Sequence, residues 1–121
     1  MEGKAVFSFE AALAKVPTPK GKRFATVYRH GTLLLEVYAP RGTDIQQPHS
    51  RDEGYVVVKG QGWFWMDGSR ERFGPGDFIF APAGVPHRFE DFSDDLAVWV
   101  IFYGPEGGED AGLTDSGGGT G

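Results

Sequence analysis

Between residues 24 and 103 the chain breaks into eight short apolar or alternating runs, each bounded by turn residues. The runs are FATVY (24–28), TLLLEVYA (32–39), YVVVK (55–59), GWFWM (62–66), RERF (70–73), DFIFA (77–81), HRFE (87–90) and LAVWVIFY (96–103). Short runs rich in β-branched and aromatic residues and separated by Gly, Pro and Asp are typical of β-strands. No helix of crossover length separates them, which disfavours a parallel α/β sheet. The pattern predicts an all-β sandwich or barrel.

The two ends of the chain differ from this central part. Residues 8–15, SFEAALAK, predict a short helix with Ser8 as its N-cap. With 121 residues the chain has the length of one ordinary domain, which we assign to residues 1–106. Residues 107–121 are Gly, Ser, Thr and acidic residues with only Leu113 large and apolar, so we predict a disordered tail there.

Two predicted strands, at residues 78–80 and 97–103, are apolar at almost every position. A strand with one face in water alternates between apolar and polar residues, so these two are expected to be covered on both faces. A partner subunit is one candidate cover for the last strand, and we expect a homodimer.

Composition excludes several classes of function. The chain has no cysteine, which excludes disulfides, thiolate nucleophiles and thiolate metal sites and leaves nitrogen and oxygen as metal donors. A net charge of -5 argues against nucleic acid as a partner, because neutralising phosphates needs clustered Lys and Arg. The sequence has no apolar window of membrane-spanning length and no signal-peptide layout, so we expect a cytoplasmic protein without a membrane partner.

The segment QQPHSRDEGYVVVKG (46–60) contains candidate metal ligands. Gln47, His49 and Glu53 have the same parity and could project from one face of an extended chain. A carboxylate that points into an apolar barrel costs several kcal/mol unless it is paired or bound to a cation. His87 begins a later strand after a Pro-x-Gly turn, and hairpin pairing of the two segments would place it opposite these residues. Two histidines and one carboxylate brought together on strands favour a metal ion.

These two segments resemble the paired motifs of the cupin superfamily. The first motif, G-x5-H-x-H-x3,4-E-x6-G, is matched by His49, Glu53 and Gly60; Gln47 stands in place of the first histidine and the opening glycine is off by one position. The second motif, G-x5-P-x-G-x2-H-x3-N, is matched by Gly76, Pro82, Gly84 and His87, with Asp91 in place of the asparagine. The motifs cover residues 47–60 and 76–91. The resemblance implies a double-stranded β-helix, or jelly-roll barrel, preceded by the short helix.

The resemblance also implies a ligand set. In cupins the motif histidines and the glutamate hold one metal ion, which by position gives His49, Glu53 and His87, with Gln47 as a candidate fourth ligand through its amide oxygen. Two histidines and one carboxylate with open positions suit non-haem Fe(II), and Zn²⁺, Mn²⁺ and Ni²⁺ are also compatible.

By analogy with the family, we expect an enzyme that acts on a small oxygenated metabolite by dioxygenation, isomerisation or decarboxylation. A non-catalytic ligand-binding or storage barrel, and a metal-independent sugar epimerase-type cupin, are the alternatives. The candidate pocket residues are Arg51, Tyr55, Trp63, Trp65, Phe78 and Phe80. For the aromatic residues the competing interpretation is core filling, and for Arg51 it is solvated surface.

Overall fold

The computed structural model describes residues 5–44 and 46–110, which form one short helix and eight strands. Each of the eight predicted runs forms a strand, and the predicted helix is present with the Ser8 hydroxyl accepting a hydrogen bond from the Ala11 N–H at 3.2 Å. The elements are α1 (Phe9–Leu13), β1 (Phe24–His30), β2 (Leu33–Tyr38), β3 (Asp52–Lys59), β4 (Gly62–Met66), β5 (Ser69–Phe73), β6 (Phe78–Ala81), β7 (His87–Glu90) and β8 (Ala97–Tyr103).

The strands form two antiparallel sheets, a five-stranded one in the order β1-β2-β8-β3-β6 and a three-stranded one in the order β5-β4-β7. Their inner faces enclose an apolar core that includes Tyr55, Val57, Phe64 and Phe89. This arrangement confirms the all-β jelly-roll barrel predicted from the strand pattern and the motifs. Among the described residues, no helix is long and apolar enough to cross a membrane.

Strand β3 occupies the second position from one edge of the large sheet, hydrogen-bonded to β8 on one side and β6 on the other. Its inward positions Glu53, Tyr55 and Val57 are all essentially inaccessible to solvent. The alternation of β3 therefore directs a carboxylate into the barrel interior, as the sequence predicted.

The pairing expected of the two motif segments occurs between β3 and β6, but His87 is not part of it. Strand β7 belongs to the small sheet, where His87 is paired with Met66 of β4, whereas β3 pairs with β6 and β8. The imidazole reaches Glu53 from the opposite sheet, across the core. Closure of the barrel, which no local sequence pattern encodes, produces this encounter.

The two strands expected to be covered on both faces differ. The outer face of β8 is packed in part by the chain's own helix, since the Phe9 and Trp99 rings meet edge to face at 5.1 Å. On the edge strand β6, Phe78 and Phe80 remain 62% and 41% exposed. The expectation of cover on both faces is therefore wrong for β6 within one chain, and the homodimer stays a prediction.

The segment that follows β8 returns to the start of β3. The Gly107 N–H donates to the Ser50 carbonyl, and the Glu109 N–H donates to the Asp52 carboxylate at 2.9 Å. Asp52 is buried and needs such donors, so these two hydrogen bonds tie residues 107 and 109 to the start of β3. Residues 111–121 of the predicted tail lie outside the described residues.

Candidate metal centre

The structure brings His49, Glu53 and His87 together at one end of the barrel interior. One ligand atom from each lies within 4.8 Å of the others. The Glu53 Oε1 atom is 3.0 Å from His87 Nε2 and 3.6 Å from His49 Nε2. Glu53 and His87 are buried, whereas the His49 side chain is 36% exposed. All three candidate ligands predicted from the sequence therefore converge on one point.

The buried Glu53 Oε1 atom has no hydrogen-bond partner although His87 Nε2 is close. The reason lies on the other side of the imidazole, where Nδ1 is 2.9 Å from the Val85 carbonyl oxygen and donates to it. In the neutral ring Nε2 then carries a lone pair, which faces the carboxylate. Two electron-rich atoms held 3.0 Å apart need a proton or a metal ion between them.

The protonation of His87 follows from the same surroundings. Burial lowers the pKa of His87, but the Glu53 carboxylate and the Val85 carbonyl outweigh it, so that the pKa is raised overall. The hydrogen bond from Nδ1 to a backbone carbonyl, which leaves Nε2 directed at the cluster, is common among metal-ligating histidines.

His49 is placed by the loop before β3 rather than by a strand. Its carbonyl accepts the Gly84 N–H at 2.7 Å, which ties the loop to the Pro-x-Gly turn that precedes His87. Its ring contacts Phe102 edge to face, with 4.9 Å between centroids. The two sequence motifs are therefore joined by a backbone hydrogen bond next to the site.

Gln46, and not Gln47, directs its amide into this cluster. The Gln46 Oε1 atom lies 3.1 Å from His49 Nε2 and accepts the Tyr55 hydroxyl at 3.1 Å, while its Nε2 donates to Asp44 at 2.8 Å. Because the nitrogen faces a carboxylate, the oxygen must face the cluster. Gln47 is exposed and does not line the adjoining cavity. The candidate fourth ligand is thus displaced by one position, because parity along an extended chain does not hold in this loop.

Asp44 is the buried anchor of the loop, and sequence reasoning missed it. Besides Gln46, its carboxylate accepts the Phe89 N–H at 2.8 Å and the Tyr38 hydroxyl. Burial and the hydrogen bond to Asp44 raise the pKa of Tyr38, so this hydroxyl keeps its proton. An aspartate among loop residues gives no sequence signal of burial.

Tyr55 was predicted as a pocket residue and lies beneath the cluster. Its hydroxyl is 3.1 Å from His87 Nε2 and bonds Gln46 as described above. Burial, and then the nearby charge of Glu53, raise the pKa of Tyr55 well above its usual value. The hydroxyl therefore stays protonated and acts as a donor within the site.

A cavity of about 260 Å³ opens beside the cluster. Its lining residues are Phe24, Glu36, Tyr38, Gln46, His49, Glu53, Val100 and Phe102. Glu36, on β2, is a second carboxylate in this wall and was not singled out from the sequence, because a lone Glu in a strand usually faces solvent. Burial raises the pKa of Glu36, and the Glu53 charge adds to this, while Arg29 and a hydrogen bond with Thr26 act against it.

The other predicted pocket residues lie elsewhere. Arg51 is next to the cavity mouth, but its guanidinium donates to the carbonyls of Thr32 and Gly104. Phe78 and Phe80 border a different cavity. Trp63 and Trp65 make three cation–π contacts with arginine side chains. These contacts are Arg70 and Arg72 with Trp63, and Arg88 with Trp65. Among the aromatic residues, the site is walled by Phe24, Tyr38 and Phe102 instead.

Comparison with known proteins agrees with this architecture. The protein-family model described as Cupin domain matches residues 34–103. An uncharacterized protein of Streptomyces coelicolor, SCO3923, is 41% identical over 64 residues, covering 53% of this chain and 61% of that protein. Dimethylsulfoniopropionate lyase DddQ of Ruegeria pomeroyi is 33% identical over 70 residues, covering 56% of this chain and 35% of the lyase.

The chain thus spans less than two thirds of the length of either curated relative. Among solved structures, a conserved protein of Klebsiella pneumoniae with a double-stranded β-helix domain superposes with a TM-score of 0.68 at 16% identity. The superposition covers 83% of this chain and 90% of that one, and it supports the fold alone.

Proposed function

The chain belongs to the cupin family, and from this premise we propose that it is an enzyme that uses one divalent metal ion, held by His49, Glu53 and His87, to act on a small oxygenated organic molecule. The observation that carries the proposal is the orphaned Glu53 oxygen, buried within 3.6 Å of both imidazole nitrogens. A buried carboxylate that faces the lone pair of a neutral imidazole is costly unless a proton on His87 or a metal ion lies between the two groups.

The donor atoms are spaced as ligands of a common ion would be. Metal bonds of about 2.1 Å at octahedral or tetrahedral angles put neighbouring donors roughly 3.0–3.4 Å apart. The Glu53–His87 distance of 3.0 Å and the His49–Gln46 distance of 3.1 Å agree with this spacing, and Glu53–His49 is slightly wider at 3.6 Å. We therefore include the Gln46 amide oxygen as a fourth donor. Imidazole, carboxylate and amide donors suit Fe(II), Mn²⁺, Zn²⁺ or Ni²⁺.

Such an ion supplies Lewis-acid polarisation of a substrate oxygen or, as Fe(II), access to O₂ chemistry. The chain's own groups do the rest. The Tyr55 hydroxyl keeps its proton and donates it to the Gln46 amide oxygen, which holds that oxygen in place at the cluster. Phe24, Val100 and Phe102 give the cavity an apolar wall that can contact the carbon atoms of a ligand.

The comparisons support an enzyme without identifying its reaction. The Ruegeria relative is a lyase whose substrate is, by its name, a propionate, which is a small oxygenated molecule of the class proposed here. Dioxygenation, isomerisation and decarboxylation stay open beside such a lyase reaction, because function is set by the site and not by the fold.

The proposal is tested by the metal content of the wild type and two matched variants, Glu53→Gln and Glu71→Gln. Glu71 is an exposed glutamate on β5. After purification without chelator and reconstitution with each of the four metals, we expect about one ion per wild-type chain. Glu53→Gln should bind at least ~100-fold more weakly, because it lacks a ligand charge, and Glu71→Gln should match the wild type. Equal occupancy in wild type and Glu53→Gln would disprove the metal site.

Turnover separates the enzyme from the alternatives. Metal-loaded protein is assayed with 2-oxo acids, hydroxy acids and diketones, with O₂ consumption and product analysis as readouts. Tight stoichiometric binding without turnover under any of the metals would favour a storage barrel. Turnover that persists unchanged in chelator would favour the metal-independent alternative, the epimerase-type cupin.

A further inference from the structure

Glu36 lies inside the barrel at a fixed offset from the metal cluster. In the β2–β8 register Glu36 is opposite Val100, which in turn is opposite Tyr55 of β3. Glu53 is in the neighbouring row, opposite Phe102. The two glutamates are therefore two strands and two residues apart, which places their Cα atoms at a distance of roughly 12 Å. Both side chains line the same cavity, so the space between them is the space for a ligand.

Nothing in the cavity wall supplies Glu36 with a strong hydrogen-bond donor. Apart from Glu36 itself and the candidate ligands His49 and Glu53, the polar residues of the wall are Tyr38 and Gln46, and the Tyr38 hydroxyl and the Gln46 amide nitrogen each donate to Asp44. Thr26, its cross-strand neighbour, provides one hydrogen bond, and Arg29 is exposed. An ionised carboxylate has about four acceptor positions. Most of the acceptor capacity of Glu36 is therefore available to a molecule in the cavity.

The charges constrain what this molecule can be. A divalent ion on Glu53 leaves one net positive charge at the base of the cavity, and Glu36 places one negative charge on its wall. A ligand with an anionic oxygen at one end and a hydrogen-bond donor at the other satisfies both, while the aromatic wall contacts the carbon atoms between them. A cavity of about 260 Å³ suits a small ligand better than a drug-sized one.

We propose that Glu36 is a substrate-recognition residue that accepts a hydrogen bond from a hydroxyl or ammonium group of a small carboxylate whose oxygen is bound at the metal. This proposal rests on the proposed function and deepens it. It assigns the substrate class as short hydroxy or amino carboxylates, and it gives Glu36 a contact that neither motif describes.

The test compares three probes with the same four-carbon chain on metal-loaded protein: butyrate, 4-hydroxybutyrate and 4-aminobutyrate. Binding is measured by titration calorimetry with the wild type, Glu36→Gln, Glu36→Asp and the control Glu71→Gln. In the wild type and the control, at least one donor-bearing probe should bind about 10-fold more tightly than butyrate, the usual worth of a charge-assisted hydrogen bond. A preference for the amine identifies an ammonium group, and a preference for the alcohol identifies a hydroxyl.

In Glu36→Gln this preference should fall to about 2-fold or less, while the affinity for butyrate stays as in the wild type. Glu36→Asp keeps the charge but withdraws it by one methylene, so a direct contact is lost there too, whereas a long-range field would persist. An undiminished preference in both variants overturns the proposal, and so does a failure of both donor-bearing probes to bind metal-loaded wild type.

Metal content measured on the same samples separates the two levels of inference. If the wild-type protein takes up no metal, the proposed function itself is wrong. If the protein binds metal but binds the donor-bearing probes no more tightly than butyrate, only the role proposed for Glu36 is wrong. Both Glu36 variants should hold as much metal as the wild type, because Glu36 is not among the clustered ligand atoms.

Discussion

The candidate metal centre has a strand side and a loop side, and the two are built differently. On the strand side, Glu53, Tyr55 and His87 lie on β3 and β7, and all three are buried. On the loop side, Gln46 and His49 precede β3 and are only partly buried. Strand register and barrel closure fix the first group, whereas the second depends on individual hydrogen bonds to Asp44 and Gly84.

This difference indicates which half of the site can move. Residues on paired strands cannot change direction without breaking the hydrogen-bonding register of the sheet. A loop side chain is free to adjust once one or two hydrogen bonds are released. We expect the strand side to contribute to folding as well as to metal binding, and the loop side to contribute mainly to metal binding.

The largest expected effect is on stability, from truncating one histidine on each side. In chelator, His87→Ala should lower the free energy of unfolding by about 2–4 kcal/mol, because it leaves a cavity among Tyr55 and Phe64 and an unpaired Val85 carbonyl. His49→Ala should cost less than ~1 kcal/mol, since its ring is 36% exposed. Denaturant unfolding followed by circular dichroism measures both.

Metal titration of the same two variants completes this test. Both should bind metal at least ~10-fold more weakly than the wild type, since each has lost an imidazole ligand. If His49→Ala proved as destabilising as His87→Ala without metal, the loop would be part of the folding core and the distinction between the two sides would fail.

The same division explains what the sequence could predict. The strands and the inward position of Glu53 follow from alternation and from turn residues, which are local signals. The jelly-roll and the candidate ligand set were implied by the resemblance to the cupin motifs. The role of Gln46 could not be predicted, since parity assigns a face only where the chain is paired in a sheet. Asp44 and Glu36 were missed because burial of an acidic residue depends on tertiary neighbours that no local pattern specifies.

The adjacent glutamines Gln46 and Gln47 offer a matched test on the loop side alone. Gln46→Ala should weaken metal binding about 10-fold, because it removes an oxygen donor and the acceptor of the Tyr55 hydroxyl. Gln47→Ala should change it less than ~2-fold, as expected for an exposed side chain. Competition with a chromophoric chelator gives the affinities, and the visible spectrum of the Co²⁺-loaded protein reports the change in ligand set.

If Gln47→Ala weakened metal binding more than Gln46→Ala did, Gln47 would be the ligand, as its position in the motif implies. Its side chain would then turn inward when metal binds. Equal and negligible effects would show that both glutamines only orient their neighbours and that three residues suffice to hold the ion. In either case Gln46 would no longer be a metal ligand on the loop side.

The smallest expected effect concerns a strand-borne carboxylate outside the cluster. Burial raises the pKa of Glu36, so the folded state holds its proton more tightly than the unfolded state. Its contribution to stability is therefore present below the unfolded pKa of about 4.3 and is lost as pH rises through the folded pKa.

In chelator, Glu36→Gln should melt roughly 2–4 °C above the wild type at neutral pH and at nearly the same temperature near pH 4, with Glu71→Gln unchanged at both. A gain of equal size at both pH values would mean that packing, and not charge, limits stability at this position. A gain confined to neutral pH would show that the fixed strand geometry holds Glu36 at a cost, as expected for a residue retained for binding.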